Sequence, residues 1–163
     1  MKNALDAWTP PGIRAAAEIK WIAAGLSLSF LYSLKFVFRF LSHRSELLWM
    51  VENVPPPQMP EVSMPGFFAL LDHGLAGFAA VAVCMAGLAL YHWFYHYQGS
   101  KSIYLMRRLP QRWELLRRCA ALPALGAAAC LFTALLLLAL YCAIYLLFTP
   151  DGYLPLQPWH YYF

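Results

Sequence analysis

Three long runs of apolar residues constrain the fold more than any other feature of this sequence. They cover about residues 19–41, 67–94 and 119–148. Each run exceeds the ~20 residues that an α-helix needs to cross the hydrocarbon of a bilayer. In lipid, a helix satisfies its own backbone hydrogen bonds. The sequence therefore predicts an all-α membrane protein, with three transmembrane helices in a single membrane domain over residues 1–163.

Composition excludes several other classes of protein. Hydrophobic residues make up 61% of the chain and charged residues only 12%, whereas an ordinary soluble domain has about 25% charged residues. The basic residues do not alternate with aromatic residues on a polar background, so we expect no nucleic-acid partner. The four cysteines lie in or beside the apolar runs, which favours buried thiols over disulfides or a zinc site.

The distribution of basic residues predicts the orientation of the spans. Six of the twelve Lys and Arg residues lie between spans two and three. They are Lys101, Arg107, Arg108, Arg112, Arg117 and Arg118. The positive-inside rule places this loop in the cytoplasm. The prediction is a multi-pass protein of the plasma (inner) membrane, with a cytoplasmic N-terminus and an outside C-terminus, although Lys35, Arg39 and Arg44 oppose this orientation.

The segments around the first span have their own patterns. Residues 42–66 form the predicted outer loop, which contains Pro55, Pro56 and Pro57. Proline removes backbone donors and favours extended structure, so we expect a stiff, non-helical connector. Ahead of the span, residues 8–20 predict a short N-terminal interfacial helix, with Pro10 and Pro11 near its first turn.

The loop between spans two and three predicts a short cytoplasmic amphipathic helix over about residues 100–109. Gly99 ends the preceding span, and Ser100 or Ser102 can cap the new helix. Pro110 ends it, because the residue before a proline avoids the α conformation. A helix that rests on lipid headgroups, with its basic residues on anionic lipid, would explain this pattern without any partner.

This loop also resembles the corresponding loop of the type-2 ABC exporter permeases. In that family a Gly/Ser segment precedes a short apolar helix that ends in Leu-Pro, and a basic residue follows. Here Gly99-Ser100, Leu109-Pro110 and Arg112 match that order. The family's short helix is a coupling helix, which docks in a groove of a separate ATP-hydrolysing subunit. The resemblance implies docking by Ile103, Tyr104, Met106, Arg107, Arg108, Leu109, Pro110 and Arg112.

The resemblance covers the N-terminal half of such a permease, and the interfacial helix is similar to the family's elbow helix. Those permeases usually have twice as many spans per subunit. We therefore expect a membrane subunit of an ABC-type exporter within a larger assembly, containing an ABC ATPase subunit and either other copies of this chain or a larger permease subunit. The sequence has no GxxxxGK[ST] loop. ATP would thus bind to the partner, and we expect neither a cofactor nor enzymatic activity in this chain.

Two other functions fit the sequence. One is a small accessory or scaffold membrane protein that transports nothing. The other is a haem- or metal-binding redox subunit that uses His92 and His96, whose i, i+4 spacing places both on one helix face. Haem between helices usually takes ligands from two of them, and span three has no histidine. An aromatic belt at the membrane interface therefore explains these histidines better, and no metal site is predicted.

Ionisable residues inside membrane spans are functional candidates by default. Lys35 and Arg39 are four residues apart in span one, and Asp72 lies about two turns into the predicted second span. The predicted topology places all three at a similar depth. We expect an ion pair between Asp72 and Lys35 or Arg39, which either joins the two spans or acts as an outer gate or substrate contact.

Overall fold

The described part of the chain consists of α-helices joined by turns and short extended segments. The computed structural model describes residues 15–55, 63–97, 113–150 and 152–154, among which no strand occurs. The helices are α1 (Ala15–Ser33), α2 (Lys35–Asn53), α3 (Phe67–Leu71), α4 (Ala76–Tyr97) and α5 (Trp113–Phe148). Three helical stretches are long and apolar enough to cross a membrane: Ala15–Asn53, Ala76–Phe94 and Cys119–Phe148. The expectation of an all-helical protein with three such stretches is confirmed.

The first stretch is longer than predicted. Leu34 separates α1 from α2 but keeps a helical backbone, with φ −60° and ψ −16°. The helix then continues to Asn53, so residues 42–53 are helical. The non-helical connector expected from residue 42 begins only after them, and the helix includes residues 45–50, for which the sequence left open an extension of span one. No proline or glycine interrupts these residues, and the chain becomes extended only at Val54, directly before the proline run.

The second stretch is shorter than predicted. A turn separates α3 from α4, and Asp72 in this turn has a positive φ of 46°. The N–H of Gly74 bonds to the carbonyl of Leu71 at 2.8 Å, and that of Ala76 to the carbonyl of His73 at 2.9 Å. Asp72 therefore lies in a turn, not inside a continuous helix over 67–94. Aspartate is among the few non-glycine residues that adopt positive φ with some frequency.

Several predicted segments lie outside the described residues. These are the start of the N-terminal interfacial helix, the proline-rich residues 56–62 and the cytoplasmic helix over about 100–109. They stay predictions.

The chain divides into two compact units. The first unit comprises Met1–Ser29 and Phe78–Thr133, and the second comprises Phe30–Gly77 and Ala134–Phe163. Each unit has its own interior contacts.

Glycines bring the helices of the first unit close together. A Cβ atom added at Gly25 of α1 would lie 3.2 Å from Cγ2 of Val81 in α4. A Cβ atom added at Gly126 of α5 would lie 2.9 Å from Sδ of Met85 and 3.3 Å from Cδ1 of Ile22. Small residues allow this close backbone approach where helices pack without a hydrophobic driving force.

Five aromatic rings form the core of the second unit. All are almost completely buried: Phe36 and Phe40 of α2, Phe67 of α3, and Tyr141 and Tyr145 of α5. Phe36 stacks on Tyr141 with ring centroids 4.7 Å apart, and Phe67 meets Tyr145 edge-on at 5.7 Å. Such offset and edge-on pairs add to the gain from burial.

Both tyrosine hydroxyls of this core make hydrogen bonds. Tyr145 donates to the carbonyl of Pro65 at 3.0 Å. Ser33 donates its only hydroxyl proton to the carbonyl of Phe30 at 2.7 Å. The hydroxyl of Tyr141, 2.8 Å from Ser33 Oγ, must therefore be the donor of that pair. The core is held by directed polar contacts as well as by ring packing.

Replacing Gly126 tests the packing of the first unit. We expect Gly126→Leu to lower the free energy of unfolding in detergent by about 1–3 kcal/mol, because added methylenes strain a filled interior. Gly87→Leu is the matched control, since a Cβ atom there meets nothing within 4 Å, and leucine is the better helix former. Thermal unfolding followed by circular dichroism measures both. Equal losses from the two variants would contradict this packing.

Candidate functional site

The structure brings Lys35, Arg39 and Asp72 together in the second unit. Lys35 Nζ lies 3.0 Å from Oδ2 of Asp72, and Arg39 Nη1 lies 3.1 Å from the same oxygen. The two cations are four residues apart on α2, so they point from the same helix face. The sequence predicted one partner for Asp72 and the structure places both cations on it. His73 joins the group, with Nδ1 2.6 Å from Oδ1 of Asp72.

This cluster of Lys35, Arg39, Asp72 and His73 is open and carries excess positive charge. The side chains of Lys35 and Arg39 are 38% and 41% exposed, and that of Asp72 is 29% exposed. Two permanent cations face one carboxylate, which leaves one net positive charge before any protonation of His73. The partial exposure of these side chains leaves their charges accessible to a ligand.

The pKa of Asp72 is held well below its ordinary value of 3.8. The largest cause is the hydrogen bond from His73, and the next is the hydrogen bond from Lys35, while partial desolvation acts in the opposite direction. A carboxyl with a lowered folded-state pKa stabilises the fold at pH values above its unfolded pKa. This contribution is lost as the pH falls through the lower folded-state value.

The ionisation of Asp72 can be followed directly. Asp6, Asp72 and Asp151 are the aspartates of the sequence, so the ¹³Cγ signal of Asp72 can be assigned by comparison with an Asp72→Asn sample. We expect the pKa of this carboxyl to lie well below its ordinary value of 3.8. His73→Ala and Lys35→Gln should each raise its pKa, because each removes a hydrogen bond to the carboxylate. Titration of Asp72 near its ordinary value in the unmodified protein would contradict the cluster geometry.

A second ionisable pair is buried inside the first unit. His92 of α4 is 1% exposed, and the side chain of Glu18 of α1 is 12% exposed. His92 Nε2 lies 2.7 Å from Oε1 of Glu18, and His92 Nδ1 lies 3.3 Å from the carbonyl oxygen of Cys119 in α5. One imidazole thus connects three helices.

Hydrogen-bond chemistry determines how many protons this pair holds. A carbonyl oxygen only accepts, so Nδ1 of His92 carries a proton toward Cys119. A single further proton then lies between Nε2 and Oε1 of Glu18, on one atom or the other. Both arrangements leave the pair with no net charge. Neutrality lowers the cost of burying ionisable groups in an apolar interior.

The second oxygen of Glu18 differs from the first. Oε2 is buried, and no hydrogen-bond partner reaches it among the residues that the structure describes. A buried oxygen without a donor costs about 1–3 kcal/mol. The pair therefore joins α1, α4 and α5 through one oxygen of Glu18, and the other oxygen lacks a donor only within the part of the chain that the structure describes.

A double-mutant cycle measures the coupling between Glu18 and His92. We expect Glu18→Ala and His92→Ala each to destabilise the protein, because each leaves a buried polar partner unpaired. The double variant should lose less than the sum, with a coupling energy of about 1–3 kcal/mol from unfolding in detergent. Glu18→Gln is the control, since its amide can still bond to a neutral imidazole. Additive losses from the two alanine variants would rule out the contact.

The geometry of His92 bears on the predicted redox alternative. Both of its ring nitrogens lie within hydrogen-bond distance of protein oxygens, so a metal would have to displace one of them. The side chain of His96 lies outside what the structure describes. Among the described side chains, no group of three or more His, Cys, Asp and Glu residues could hold a metal ion.

Glu18, the partner of His92, was not among the site residues predicted from the sequence. The available signal was a carboxylate at the start of an otherwise apolar helix, where an ionisable residue needs a partner. The choice of His92 as that partner required the three-dimensional arrangement of α1 and α4.

The predicted docking segment lies in residues 98–112, outside the described part of the chain. Residues 103–110 and Arg112 therefore remain a sequence prediction. In comparisons with known proteins, no family model, no curated protein and no solved structure matches this chain.

Proposed function

We propose that this chain is a membrane subunit of an ABC-type exporter that couples to a separate ATPase subunit through residues 100–112. One observation carries the proposal. A basic loop between two membrane-crossing helices has the order Gly99-Ser100, then an apolar stretch ending in Leu109-Pro110, then Arg112. That order resembles the coupling-helix loop of type-2 ABC exporter permeases.

The flanking helices support this interpretation of the loop. α4 ends at Tyr97 and α5 begins at Trp113, so a short segment connects two long apolar helices. Its length suits one short helix over 100–109 and leaves little room for a folded domain. Such a helix would present Ile103, Met106 and Leu109 to a groove, while Arg107 and Arg108 could meet acidic groups at its rim.

A larger assembly would supply the remaining parts of the exporter. In this proposal, other copies of the chain or a larger permease subunit complete the translocation pathway, and the ATPase partner binds and hydrolyses ATP. The three membrane-crossing stretches of this chain anchor the docking helix to that pathway. Their movement would transmit the conformational change of the ATPase.

Co-purification from the native membrane tests the proposal. The full chain is tagged and isolated in detergent, and the proteins that co-purify with it are identified by mass spectrometry, with an ABC-type ATPase subunit expected among them. We expect a stable complex, and we expect Arg107→Glu combined with Arg108→Glu to weaken it at least tenfold because two docking cations are reversed. Arg117→Glu is the matched control, because it reverses an exposed charge of the same basic region outside the docking segment.

The outcomes separate the proposal from its main alternative. The absence of any co-purifying ATPase subunit would refute it. If the ATPase binds but tolerates Arg107→Glu, Arg108→Glu and Pro110→Ala, docking does not use this helix. An accessory scaffold predicts that same tolerance, together with sensitivity at the packed glycines Gly25 and Gly126.

A further inference from the structure

The cluster of Lys35, Arg39, Asp72 and His73 has more positive charge than the carboxylate of Asp72 neutralises. Oδ2 of Asp72 accepts from Lys35 Nζ at 3.0 Å and from Arg39 Nη1 at 3.1 Å, so these two nitrogens can be no more than about 6.1 Å apart. His73 occupies the other oxygen of Asp72. The carboxylate holds two like charges side by side and partly exposed, with one net positive charge left over.

Large apolar side chains border this cluster on the same helix face. Leu31, Lys35 and Phe38 follow the i, i+4, i+7 spacing of one helical stripe. Leu31 is 62% exposed and Phe38 is 70% exposed. Tyr32 adds a ring whose centroid lies 6.0 Å from Lys35 Nζ. The surface therefore combines a cationic centre with an exposed apolar border, inside the first membrane-crossing stretch Ala15–Asn53.

We propose that Lys35 and Arg39 bind the phosphate group of an anionic membrane phospholipid, whose acyl chains extend along Leu31 and whose glycerol backbone lies beside Phe38. Arginine matches phosphate oxygens with its planar donors, and lysine supplies a compact second charge. Basic residues beside membrane spans attract anionic headgroups. A free phosphate would use the cations but would gain nothing from the exposed leucine and phenylalanine.

Asp72 has a defined role in this site. Its carboxylate keeps the two cations close together and at the same time opposes an incoming phosphate. Removing its charge should therefore strengthen lipid binding, whereas removing either cation should weaken it. A merely structural ion pair predicts no such opposite effects. The inference is independent of ATPase docking, which involves other residues.

Lipid binding to the purified full-length chain tests the site. Native mass spectrometry in detergent would compare phosphatidylglycerol with phosphatidylcholine of the same acyl chains. We expect the unmodified protein to prefer phosphatidylglycerol. Lys35→Gln and Arg39→Gln should each lower that affinity about fivefold, and Asp72→Asn should raise it by a similar factor. Affinity for phosphatidylcholine should change less, because its choline cation offsets the charge of its phosphate.

Three controls make the result specific. Lys20→Gln removes an exposed cation of α1 and should leave the preference intact. Arg39→Lys keeps the charge and should retain most of the binding. Inorganic phosphate at millimolar concentration should fail to displace the lipid.

Four outcomes would contradict the lipid-binding proposal or the role given to Asp72, and the first two need no variant. If the unmodified protein shows no preference for phosphatidylglycerol, the site does not exist. Displacement of the lipid by inorganic phosphate would identify a free-anion site instead. If Lys20→Gln lowers the affinity for phosphatidylglycerol as strongly as Lys35→Gln does, the preference depends on total charge and not on this site. Weaker lipid binding by the Asp72→Asn variant would refute the role of Asp72.

Discussion

Hydrocarbon offers no hydrogen-bond partners, so each polar group on a membrane-crossing helix must find its partner within the protein. The described polar contacts follow from this constraint. In the first unit, His92 connects Glu18 to the carbonyl of Cys119 and holds one shared proton. In the second unit, the hydroxyls of Tyr141 and Tyr145 both find oxygen acceptors beside the buried rings. The long apolar stretches enable the helices to cross a bilayer. The polar contacts between side chains specify which surfaces of the helices pack together.

The Glu18–His92 pair and the cluster around Asp72 meet the need for partners within the protein in different ways. Glu18 and His92 are buried and neutral as a pair, which suits a structural connection between helices. Lys35, Arg39 and Asp72 are partly exposed and keep a net positive charge. Partial exposure leaves their charge available to a ligand. The proposed lipid site uses this second cluster.

Parts of both clusters could be predicted from the sequence. The four-residue spacing of Lys35 and Arg39, with an aspartate at similar predicted depth, was enough to expect their pairing. The turn at Asp72 was not expected, because the apolar run over 67–94 has no proline and the break depends on one positive φ. The pairing of His92 was missed for another reason. The i, i+4 spacing of His92 and His96 suggested a shared site on one helix, whereas the partners of His92, which are Glu18 and Cys119, lie on two other helices.

The sequence by itself determined that this chain is helical and has three stretches able to cross a membrane, because apolar length and backbone satisfaction in lipid leave few alternatives. It also supplied the basic loop pattern on which the proposed ATPase coupling rests. Only the tertiary structure decided which small residues face a neighbour: Gly126 lies against Met85, while Gly87 faces open space. It likewise decided which polar groups meet. Helical periodicity assigns residues to a face of their own helix, but packing alone determines what that face contacts.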